Sequence, residues 1–509
     1  MRHGLPKDMS TRPIRFFHRG QITTVSDASP TRTVLDWLRE DAKCRGTKEG
    51  CNEGDCGACT VVVGELARSD DPNAVRGLSL QTVNACIKFL PTLDGKALFT
   101  VEDLKGDGAL HPVQQAMVDC HGSQCGFCTP GFVMSLWNSY EHHLESNTRP
   151  TRQRLADDLS GNLCRCTGYR PILDAGLRMF ELPQAKLDTS RAVDALKGLP
   201  AREMTFEYEH AGTRFFAPRT LPELAWLREE MPKAQLLSGS TDVGLWVTKQ
   251  FRQLGDVLYV GEVEELKRIE QRGDQLWIGA GASLEDAWRS LAQRWPALTD
   301  VWLRFASLPV RFAGTMGGNV ANGSPIGDSP PILMALDAQI ELRKGDRVRR
   351  MPLPDYYIDY MKNHLEPGEL VQAVLIPRLP TNLKVRGYKL SKRFDCDISA
   401  LCMGAAIELD GSTVVSIRLA FGGMAGTVKR ARNAEAALLG LQWDERSLAA
   451  AQDALAKDFT PLSDMRASNG HRELVARNLL HRFWLETRSA DPLPSDATSV
   501  YACMAHEGA

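Results

Sequence analysis

Long apolar runs and an excess of charge of one sign are both missing from this chain of 509 residues. No segment approaches the roughly 20 consecutive apolar residues that a membrane-spanning helix needs, which argues against a membrane partner. The formal net charge is −2, so composition gives no support to binding of nucleic acid or of an anionic membrane surface. Residues 1–17 contain neither an apolar segment with a small-residue cleavage site nor a twin-arginine pair, and we therefore expect a cytoplasmic location.

Two common nucleotide-binding fingerprints are also missing. No G-x-G-x-x-G sequence opens a helix and no Walker A loop occurs, which disfavours a Rossmann domain. There is no internal repeat and no low-complexity tract. The apolar fraction of 43% and the charged fraction of 24% are ordinary for globular proteins. The length predicts about three or four domains.

Cysteine, by contrast, is present in an unusual arrangement. Ten of the thirteen cysteines precede residue 167, and in a reducing cytoplasm such groups are more often metal ligands than disulfides. The first group has the plant-type [2Fe–2S] spacing, C-x4-C-x2-C with a distant fourth cysteine. Its members are Cys51, Cys56, Cys59 and Cys86. A zinc site would usually show two close pairs, so the isolated Cys86 disfavours zinc, and Cys44 is interpreted as a packed thiol.

A second group of four cysteines combines C-x2-C with C-x-C. Its members are Cys125, Cys128, Cys164 and Cys166. This spacing alone is compatible with zinc. The neighbouring iron–sulfur loop favours a second cluster, because one cluster is most useful with another within reach. Cys120 is interpreted as a structural thiol.

Hydrophobic periodicity divides the chain into five segments. Residues 12–96 alternate strands with one short helix and predict a small ferredoxin-like unit, while 97–183 carry four helical patterns around the second cysteine group. Residues 184–215 mix charge, proline and glycine without a clear period and are predicted to be a linker. Residues 216–380 predict an α/β domain, and 381–490 predict three strands followed by helices.

Two loops of small residues could cradle a phosphate group. Leu236–Val243 is a short strand that continues into a Ser/Gly turn, and 314–319 reads GTMGGN, with SPIGD following at 324–328. Small side chains let backbone amides approach a pyrophosphate closely. Taken singly, each loop is a weak signal, since most such loops are only turns.

Three sequence stretches resemble the iron–sulfur portion of the xanthine dehydrogenase family of molybdenum hydroxylases. They are GCNEGDCGACT (50–60), GSQCGFCTPG (122–131) and GNLCRCTGYRPI (161–172). Similar motifs occur in aldehyde oxidases and carbon monoxide dehydrogenases. The resemblance implies an α+β multidomain protein with a β-grasp ferredoxin-like [2Fe–2S] domain and a four-helix [2Fe–2S] domain. A two-part α/β FAD domain of the PCMH/vanillyl-alcohol-oxidase type and a C-terminal α+β flavoprotein domain would follow.

The same resemblance implies a set of FAD contacts. Loop 236–243 and Thr315, Gly318 and Asn319 would cradle the pyrophosphate, Phe305 would pack near the flavin, and Asp328 would take an adenosine-side hydroxyl. The complete implied set is Leu236, Leu237, Ser238, Gly239, Ser240, Thr241, Asp242, Val243, Phe305, Thr315, Gly318, Asn319, Asp328, Val371 and Lys389. Without the neighbouring loops, Phe305 would be interpreted as a core aromatic residue and Lys389 as a solvated charge.

The resemblance also bears on two further residues, Gln124 and Cys396. Gln124 is implied to face the molybdopterin of a neighbouring domain, although an ordinary surface amide is the alternative. Cys396 stands where the animal enzymes have an acidic residue, in a stretch near the side of the flavin that faces nicotinamide. This difference leaves the balance between NAD+ and oxygen as acceptor open.

The resemblance also implies a function in electron transfer. A family member would run iron–sulfur, iron–sulfur, FAD and molybdenum, and this sequence contains the first three. We therefore expect the small subunit of an NAD+-dependent xanthine dehydrogenase of purine catabolism. Its molybdopterin cofactor would lie on a separate large subunit, in a dimer of heterodimers. Electrons from purine hydroxylation would pass through the Cys125 group, the Cys51 group and FAD to NAD+, with no catalytic acid or base on this chain.

Two alternatives remain open from the sequence. An aldehyde- or N-heterocycle-oxidising relative would use the same electron-transfer chain, because the missing subunit selects the substrate. A non-catalytic protein that uses the clusters structurally is the other alternative, and the paired FAD loops disfavour it.

Overall fold

The computed structural model describes residues 11–105, 108–199 and 204–501. The chain divides into two compact units. The first unit runs to Leu227 and includes Met231–Glu264 and Ser307–Gly314, whereas the second contains Arg228–Glu230, Glu265–Ala306 and the chain from Thr315 onward. Among the described residues, no helix is both long and apolar enough to cross a bilayer.

The first unit begins with a six-stranded sheet. Its strands are β1 (Ile14–His18), β2 (Gln21–Val25), β3 (Thr60–Leu66), β4 (Ala74–Val75), β5 (Leu78–Asn84) and β6 (Ala97–Phe99). They lie in the order β2-β1-β6-β3-β5-β4, with β1 parallel to β6 and the other pairs antiparallel. The helical segment α1 (Val34–Asp36) and the π-helical segment Trp37–Asp41 that continues it bury Leu35 and Trp37 with Phe16 of the sheet. This is the predicted β-grasp domain.

Four helices follow in the first unit. They are α2 (Pro112–Asp119), α3 (Thr129–Glu145), α4 (Arg152–Asp158) and α5 (Arg170–Arg178). Three of them have proline in the first turn, where its fixed φ suits a helix start and its missing N–H costs nothing. Trp137 and Tyr140 of α3 pack with Leu155 and Ile172 in one core. The four-helix prediction is confirmed.

The sequence predicted an irregular linker at 184–215, whereas the structure has regular elements there. Residues 184–215 contain α6 (Ser190–Lys197) and β7 (Phe206–His210), and β8 (Thr213–Ala217) begins within them. Ala192 and Leu196 are buried at helical spacing, and the two strands pair around a turn at 211–212. Charged residues on the exposed faces of these elements hide their periodicity, which is why the stretch reads as irregular in sequence.

A four-stranded sheet completes the first unit. β9 (Gln235–Leu237) and β10 (Val257–Tyr259) join β7 and β8 in the order β7-β8-β10-β9, and β10 is parallel to both of its neighbours. The associated helices are α7 (Leu221–Glu230) and α8 (Val243–Thr248). Parallel pairing with helical crossovers matches the α/β pattern in the sequence.

The second unit contains an antiparallel five-stranded sheet in the order β11-β12-β17-β13-β14 and a two-stranded β15-β16. These strands are β11 (Ile269–Arg272), β12 (Gln275–Gly279), β13 (Gln339–Lys344), β14 (Arg347–Pro352), β15 (Tyr357–Asp359), β16 (Lys362–Asn363) and β17 (Leu370–Ile376). The helices between residues 264 and 335 are α9 (Glu264–Lys267), α10 (Leu284–Arg294), α11 (Thr299–Arg304), α12 (Leu308–Ala313, part of the first unit), α13 (Met316–Asn322) and α14 (Ser329–Ala335).

The C-terminal part of the second unit is a four-stranded antiparallel sheet with three helices. They are β18 (Lys384–Leu390), β19 (Leu401–Asp410), β20 (Thr413–Gly422), β21 (Lys429–Arg430), α15 (Arg432–Ala436), α16 (Glu445–Asp458) and α17 (Asn469–Thr487). Phe421 of the sheet and Phe483 of α17 lie in one buried core. Three long strands followed by helices agree with the sequence pattern.

Candidate iron–sulfur and flavin sites

The structure brings together the four cysteines of the first group. Three lie in the loop before β3, and Cys86 follows β5. The antiparallel pairing of Thr60 with Asn84 places Cys86 beside the loop. The sulfur of Cys51 contacts those of Cys56 and Cys86, and the sulfur of Cys86 also contacts that of Cys59. All four sulfurs therefore belong to one connected group.

Backbone N–H groups of the first loop point at sulfur. Cys51 donates to the sulfur of Cys56 at 3.3 Å, while Asp55 and Cys56 donate to the sulfur of Cys51 at 3.4 Å and 3.3 Å. Hydrogen bonds from the Cys56 and Cys86 thiols lower the pKa of Cys51, because they favour its thiolate. The thiols that give these bonds have raised pKa values. The loop thus favours negative charge on the sulfur of Cys51.

The second group lies just before two helices. Cys125 and Cys128 precede α3, and Cys164 and Cys166 precede α5. Cys125 contacts Cys166, and Cys128 contacts Cys164. Burial, together with the Cys164 contact, raises the pKa of Cys128 to about 12.

The sulfur contacts of the second group form two pairs, as two irons with two thiolates each require. The donor set is sulfur only, and backbone N–H groups point at sulfur in the first loop. Both features suit a two-iron cluster.

The two groups differ in exposure. Cys125 and Cys166 are exposed, whereas Cys59 and Cys86 are only 2% and 1% exposed. Gln124 beside Cys125 is also exposed, so both its predicted role and the surface-amide alternative are compatible with its position. The second group is thus the one that an external electron donor can approach.

The predicted flavin loop of the first unit follows β9. A Cβ at Gly239 would lie 1.6 Å from the carbonyl oxygen of Ala313, so only glycine allows this approach to the end of α12. The hydroxyl of Ser240 is buried and finds no hydrogen-bond partner among the described residues. Ser240 also has a φ of 65°, in the left-handed region. A buried free hydroxyl on a strained turn fits a loop that donates to a phosphate oxygen.

The remaining predicted FAD residues belong to the second unit. Thr315 caps α13, with its hydroxyl accepting from the N–H of Gly318 at 3.2 Å. The side-chain oxygen of Asn319 is buried without a protein partner among the described residues. Phe305 is buried 5.9 Å from the ring of Trp288, and Val371 lies in the same core. Phe305 is therefore a buried aromatic residue, a position compatible both with packing near the flavin and with the core alternative.

Asp328 and Lys389 form a buried ion pair in the second unit. The ammonium of Lys389 donates to Asp328 at 2.6 Å and to Ser399 at 2.8 Å, and Ser399 donates to the other carboxylate oxygen at 2.6 Å. The side chain of Lys389 is 1% exposed. The interpretation of Lys389 as a solvated charge is therefore wrong, because its charge is compensated inside the protein.

Cys396 lies in the left-handed backbone region, with a φ of 53°. It is buried, and its carbonyl accepts a hydrogen bond from the guanidinium of Arg393 at 2.8 Å. Its conformation is one that non-glycine residues seldom adopt.

Four family models match successive parts of the chain. A 2Fe-2S iron-sulfur cluster binding domain matches 16–89, and a [2Fe-2S] binding domain matches 100–177. The FAD binding domain in molybdopterin dehydrogenase matches 206–379, and the CO dehydrogenase flavoprotein C-terminal domain matches 386–487.

The chain belongs to the molybdenum hydroxylase family. Its domains are those of the iron–sulfur/FAD electron-transfer component of that family. The expected domain types are thereby confirmed, as are iron–sulfur clusters and FAD as its cofactors.

Known proteins of this family resemble the chain over most of its length. It is 30% identical to a xanthine dehydrogenase of Emericella nidulans, over 94% of this chain and 39% of the relative. It is also 30% identical to aldehyde oxidase 4 of Cavia porcellus, over 97% of this chain and 41% of the relative. The chain thus spans well under half the length of these relatives.

A solved structure resembles part of the fold. It is the carbon monoxide dehydrogenase from Hydrogenophaga pseudoflava that lacks the Mo-pyranopterin moiety of the molybdenum cofactor. The TM-score is 0.50 and the identity 26%, and the match covers 53% of this chain and 94% of the solved chain.

Proposed function

We propose that the chain is the electron-transfer subunit of a xanthine dehydrogenase. Hypoxanthine or xanthine would be hydroxylated at a molybdenum centre on a partner subunit, and the two [2Fe–2S] clusters and FAD, when bound, supply the one-electron and hydride chemistry that delivers electrons to NAD+. The cluster ligands would be the two cysteine groups, and FAD would contact the fifteen residues that the family resemblance implies. No acid or base on this chain takes part in the hydroxylation.

One observation carries this proposal. Both cysteine groups lie in the first unit, and their loops meet directly, because the N–H of Leu163 donates to the carbonyl of Cys56 at 3.0 Å. The exposed Cys125 and Cys166 belong to one group and the buried Cys59 and Cys86 to the other. This difference in exposure supports entry of electrons at the second cysteine group and their passage to the first.

The first cysteine group is also in contact with the helix that follows the flavin loop. Thr248 of α8 donates through its hydroxyl to the carbonyl of Asn52 at 2.9 Å. A Cβ at Gly244 would lie 2.8 Å from the carbonyl oxygen of Ile87, the residue after Cys86. α8 therefore rests against both ends of the cysteine group, which supports transfer from this cluster to FAD.

The proposal includes a separate molybdopterin-binding large subunit, a dimer of heterodimers, a cytoplasmic location and a place in purine catabolism. The match to the solved carbon monoxide dehydrogenase chain covers 94% of that chain. In that protein, the matched domains therefore make up nearly a whole chain, which supports a partner chain for the remaining chemistry.

The second candidate is the equivalent subunit of an aldehyde- or N-heterocycle-oxidising enzyme. The observation that favours it is the identity of 30% to aldehyde oxidase 4, equal to that with the xanthine dehydrogenase of Emericella nidulans. A panel of aldehydes, purines and N-heterocycles given to the same complex would separate the two candidates.

The test is a spectral titration of the complex with its co-expressed partner. Xanthine added without oxygen should bleach the flavin and iron–sulfur bands, and NAD+ should restore them. A complex of wild-type partner with a Cys86→Ala chain serves as the matched control and should not pass electrons to NAD+. Absence of bleaching by any purine, with clusters, FAD and molybdenum present, would overturn the substrate assignment. Bleaching without recovery would overturn NAD+ as the acceptor.

A further inference from the structure

Asn162 joins the two cysteine loops through its side chain. It lies two residues before Cys164 and is 4% exposed. Its amide nitrogen donates to the carbonyl of Gly57 at 3.1 Å and to the hydroxyl of Thr60 at 3.2 Å. Gly57 follows Cys56 directly and Thr60 follows Cys59 directly. One amide of the second loop therefore contacts the neighbours of two cysteines in the first.

The orientation of this amide is set from its other side. The hydroxyl of Ser135 donates to the side-chain oxygen of Asn162 at 2.6 Å. Ser135 lies in α3, which begins directly after Cys128. The hydroxyl of Thr60 donates to the carbonyl of Gly57 at 2.7 Å, which leaves its lone pairs free for Asn162. All the polar atoms of the amide are thus satisfied, as a buried amide requires.

Backbone contacts leave the loops little freedom around Asn162. A Cβ at Gly57 would lie 2.2 Å from the carbonyl oxygen of Gly161, and one at Gly131 would lie 2.1 Å from that of Gly57. Gly57 has a φ of 69°, which glycine adopts without strain. The two loops meet through bare backbone, and the Asn162 side chain adds two hydrogen bonds to the one that the N–H of Leu163 gives to the carbonyl of Cys56, so that together they fix the register of the loops.

We propose that Asn162 is a positioning residue that holds the two cluster loops at one separation and thereby sets the rate of electron passage between the clusters. This inference rests on the proposed function, in which electrons pass from one cluster to the other. Electron tunnelling falls steeply with distance, so a small displacement of one loop slows transfer while both clusters stay bound. Asn162 lies within the GNLCRCTGYRPI stretch, but its role in joining the two loops follows only from its hydrogen-bond partners.

The test uses Asn162→Ala in the complex with its partner. Removal of the amide leaves the Ser135 hydroxyl without its acceptor, takes one of the hydrogen bonds from the Gly57 carbonyl, and adds no charge near the clusters. The matched control is Asn138→Ala. Asn138 is also 4% exposed and lies in α3, but within the described chain its side chain shows no hydrogen bond to either cysteine loop. Iron and FAD content are measured first, so that only loaded protein is compared.

Two readouts separate positioning from a general loss of stability. The first is the magnetic interaction between the two clusters, measured by electron paramagnetic resonance after reduction with dithionite. The second is the rate at which electrons from xanthine reach the flavin in a stopped-flow experiment. For Asn162→Ala we expect a weakened or altered magnetic splitting and a slower rate, and for Asn138→Ala we expect wild-type values in both.

A loaded Asn162→Ala protein with the wild-type splitting and rate would overturn the inference. If alanine prevents loading, Asn162→Ser keeps a small polar group and takes its place. Loss of the second cluster in both Asn162→Ala and Asn162→Ser would also overturn the inference, since Asn162 would then stabilise one loop rather than hold two loops at a fixed separation. If no purine reduces the wild-type complex, the proposed substrate fails, but the dithionite measurement still tests Asn162.

Discussion

At the scale of single residues, Lys96 of the first unit is a deeply buried cation that contacts two carboxylates. Its ammonium lies 2.5 Å from Glu65 and 2.9 Å from Glu262, and its side chain is 3% exposed. Burial disfavours the charge, but Glu262 and Glu65 outweigh this effect and hold the pKa of Lys96 well above its ordinary value. Lys96 thereby ties the iron–sulfur sheet to the segment after β10.

Replacement of this lysine should destabilise the first unit. Lys96→Met removes the ammonium that pairs with Glu262 and Glu65, while Arg219 still pairs with Glu262, so we expect a loss of about 1.5–3 kcal/mol, as for a hydrogen bond to a charged group. Urea unfolding followed by circular dichroism measures the effect. Arg32→Met removes an exposed pair with Glu40 and should change the free energy of unfolding by less than about 1 kcal/mol. Equal losses for the two variants would contradict the role of burial.

The cysteine ligands permit an equally local prediction. Cys86→Ala removes one of the four sulfurs of the first group, and we expect loss of this cluster, with about half of the iron remaining in the second. Cys44→Ala is the control, since Cys44 is also buried and its sulfur lies 3.7 Å from a ring nitrogen of His18. Iron analysis and electron paramagnetic resonance distinguish the variants. Full iron content in Cys86→Ala, or loss of a cluster in Cys44→Ala, would contradict the ligand assignment.

The cysteine ligands and the buried lysines were predictable from the sequence to different degrees. The cysteines could be assigned because their spacing is local: three of the first group lie within nine residues of one another, and the second group consists of two close pairs. Lys389 could not, because its partner Asp328 lies 61 residues away. A lysine reads as solvated unless the tertiary structure supplies a carboxylate to pair with it inside the protein.

At the scale of elements, the carboxylate of Glu486 joins α17 to β18. It accepts from Arg386 at 2.8 Å and from Tyr388 at 3.0 Å, both in β18, and from Arg482 of α17 at 2.7 Å. Burial opposes ionisation, but the hydrogen bonds from Arg482, Thr498 and Tyr388 outweigh it and lower the pKa of Glu486. The junction of this helix and strand therefore depends on an ionised carboxylate.

This lowered pKa predicts the direction of a pH effect. A depressed pKa contributes stability above the ordinary value for glutamate, about 4.3, and this contribution is lost as pH falls through the folded-state pKa. Glu486→Gln should therefore lower the melting temperature at pH 7, and the difference from wild type should narrow as the pH falls below the ordinary glutamate value. Glu473→Gln, at an exposed position of α17, is the control. A difference that stays constant with pH would contradict the ionised state.

Elements with clear periodicity were also predictable from the sequence. The four helices around the second cysteine group and the long strands of the C-terminal sheet agree with the pattern. The helix and strands within 184–215 were missed, because each buries only a few apolar residues between charged ones. Their assignment depends on the sheet and the core against which they pack.

At the scale of the whole molecule, the cofactor residues are distributed unevenly between the two units. Both cysteine groups belong to the first unit, whereas the predicted FAD contacts are divided between both. The first cysteine group is the more buried of the two. This difference predicts that the clusters differ in their resistance to removal.

Loss of iron should be sequential in the complete chain. We expect that mild oxidation in the presence of a chelator removes the second cluster first, because Cys125 and Cys166 are exposed and Cys59 and Cys86 are not. Electron paramagnetic resonance of samples reduced at successive times follows the two signals separately. The Cys86→Ala chain, with only the second cluster, assigns the signals. Simultaneous loss of both, or earlier loss of the first, would contradict the exposure argument.

The sequence by itself determined the ligand types, the cofactor class and most of the domain types. These depend on local features: the spacing of thiols within a loop, small residues in a turn, and the period of apolar residues. Only the tertiary structure decided that β3 and β5 bring Cys86 to its loop, that Lys389 is paired inside the protein, and that Asn162 joins two loops. Such contacts connect residues that lie far apart in the chain. Their geometry comes from strand register and core packing, which no short stretch of sequence contains.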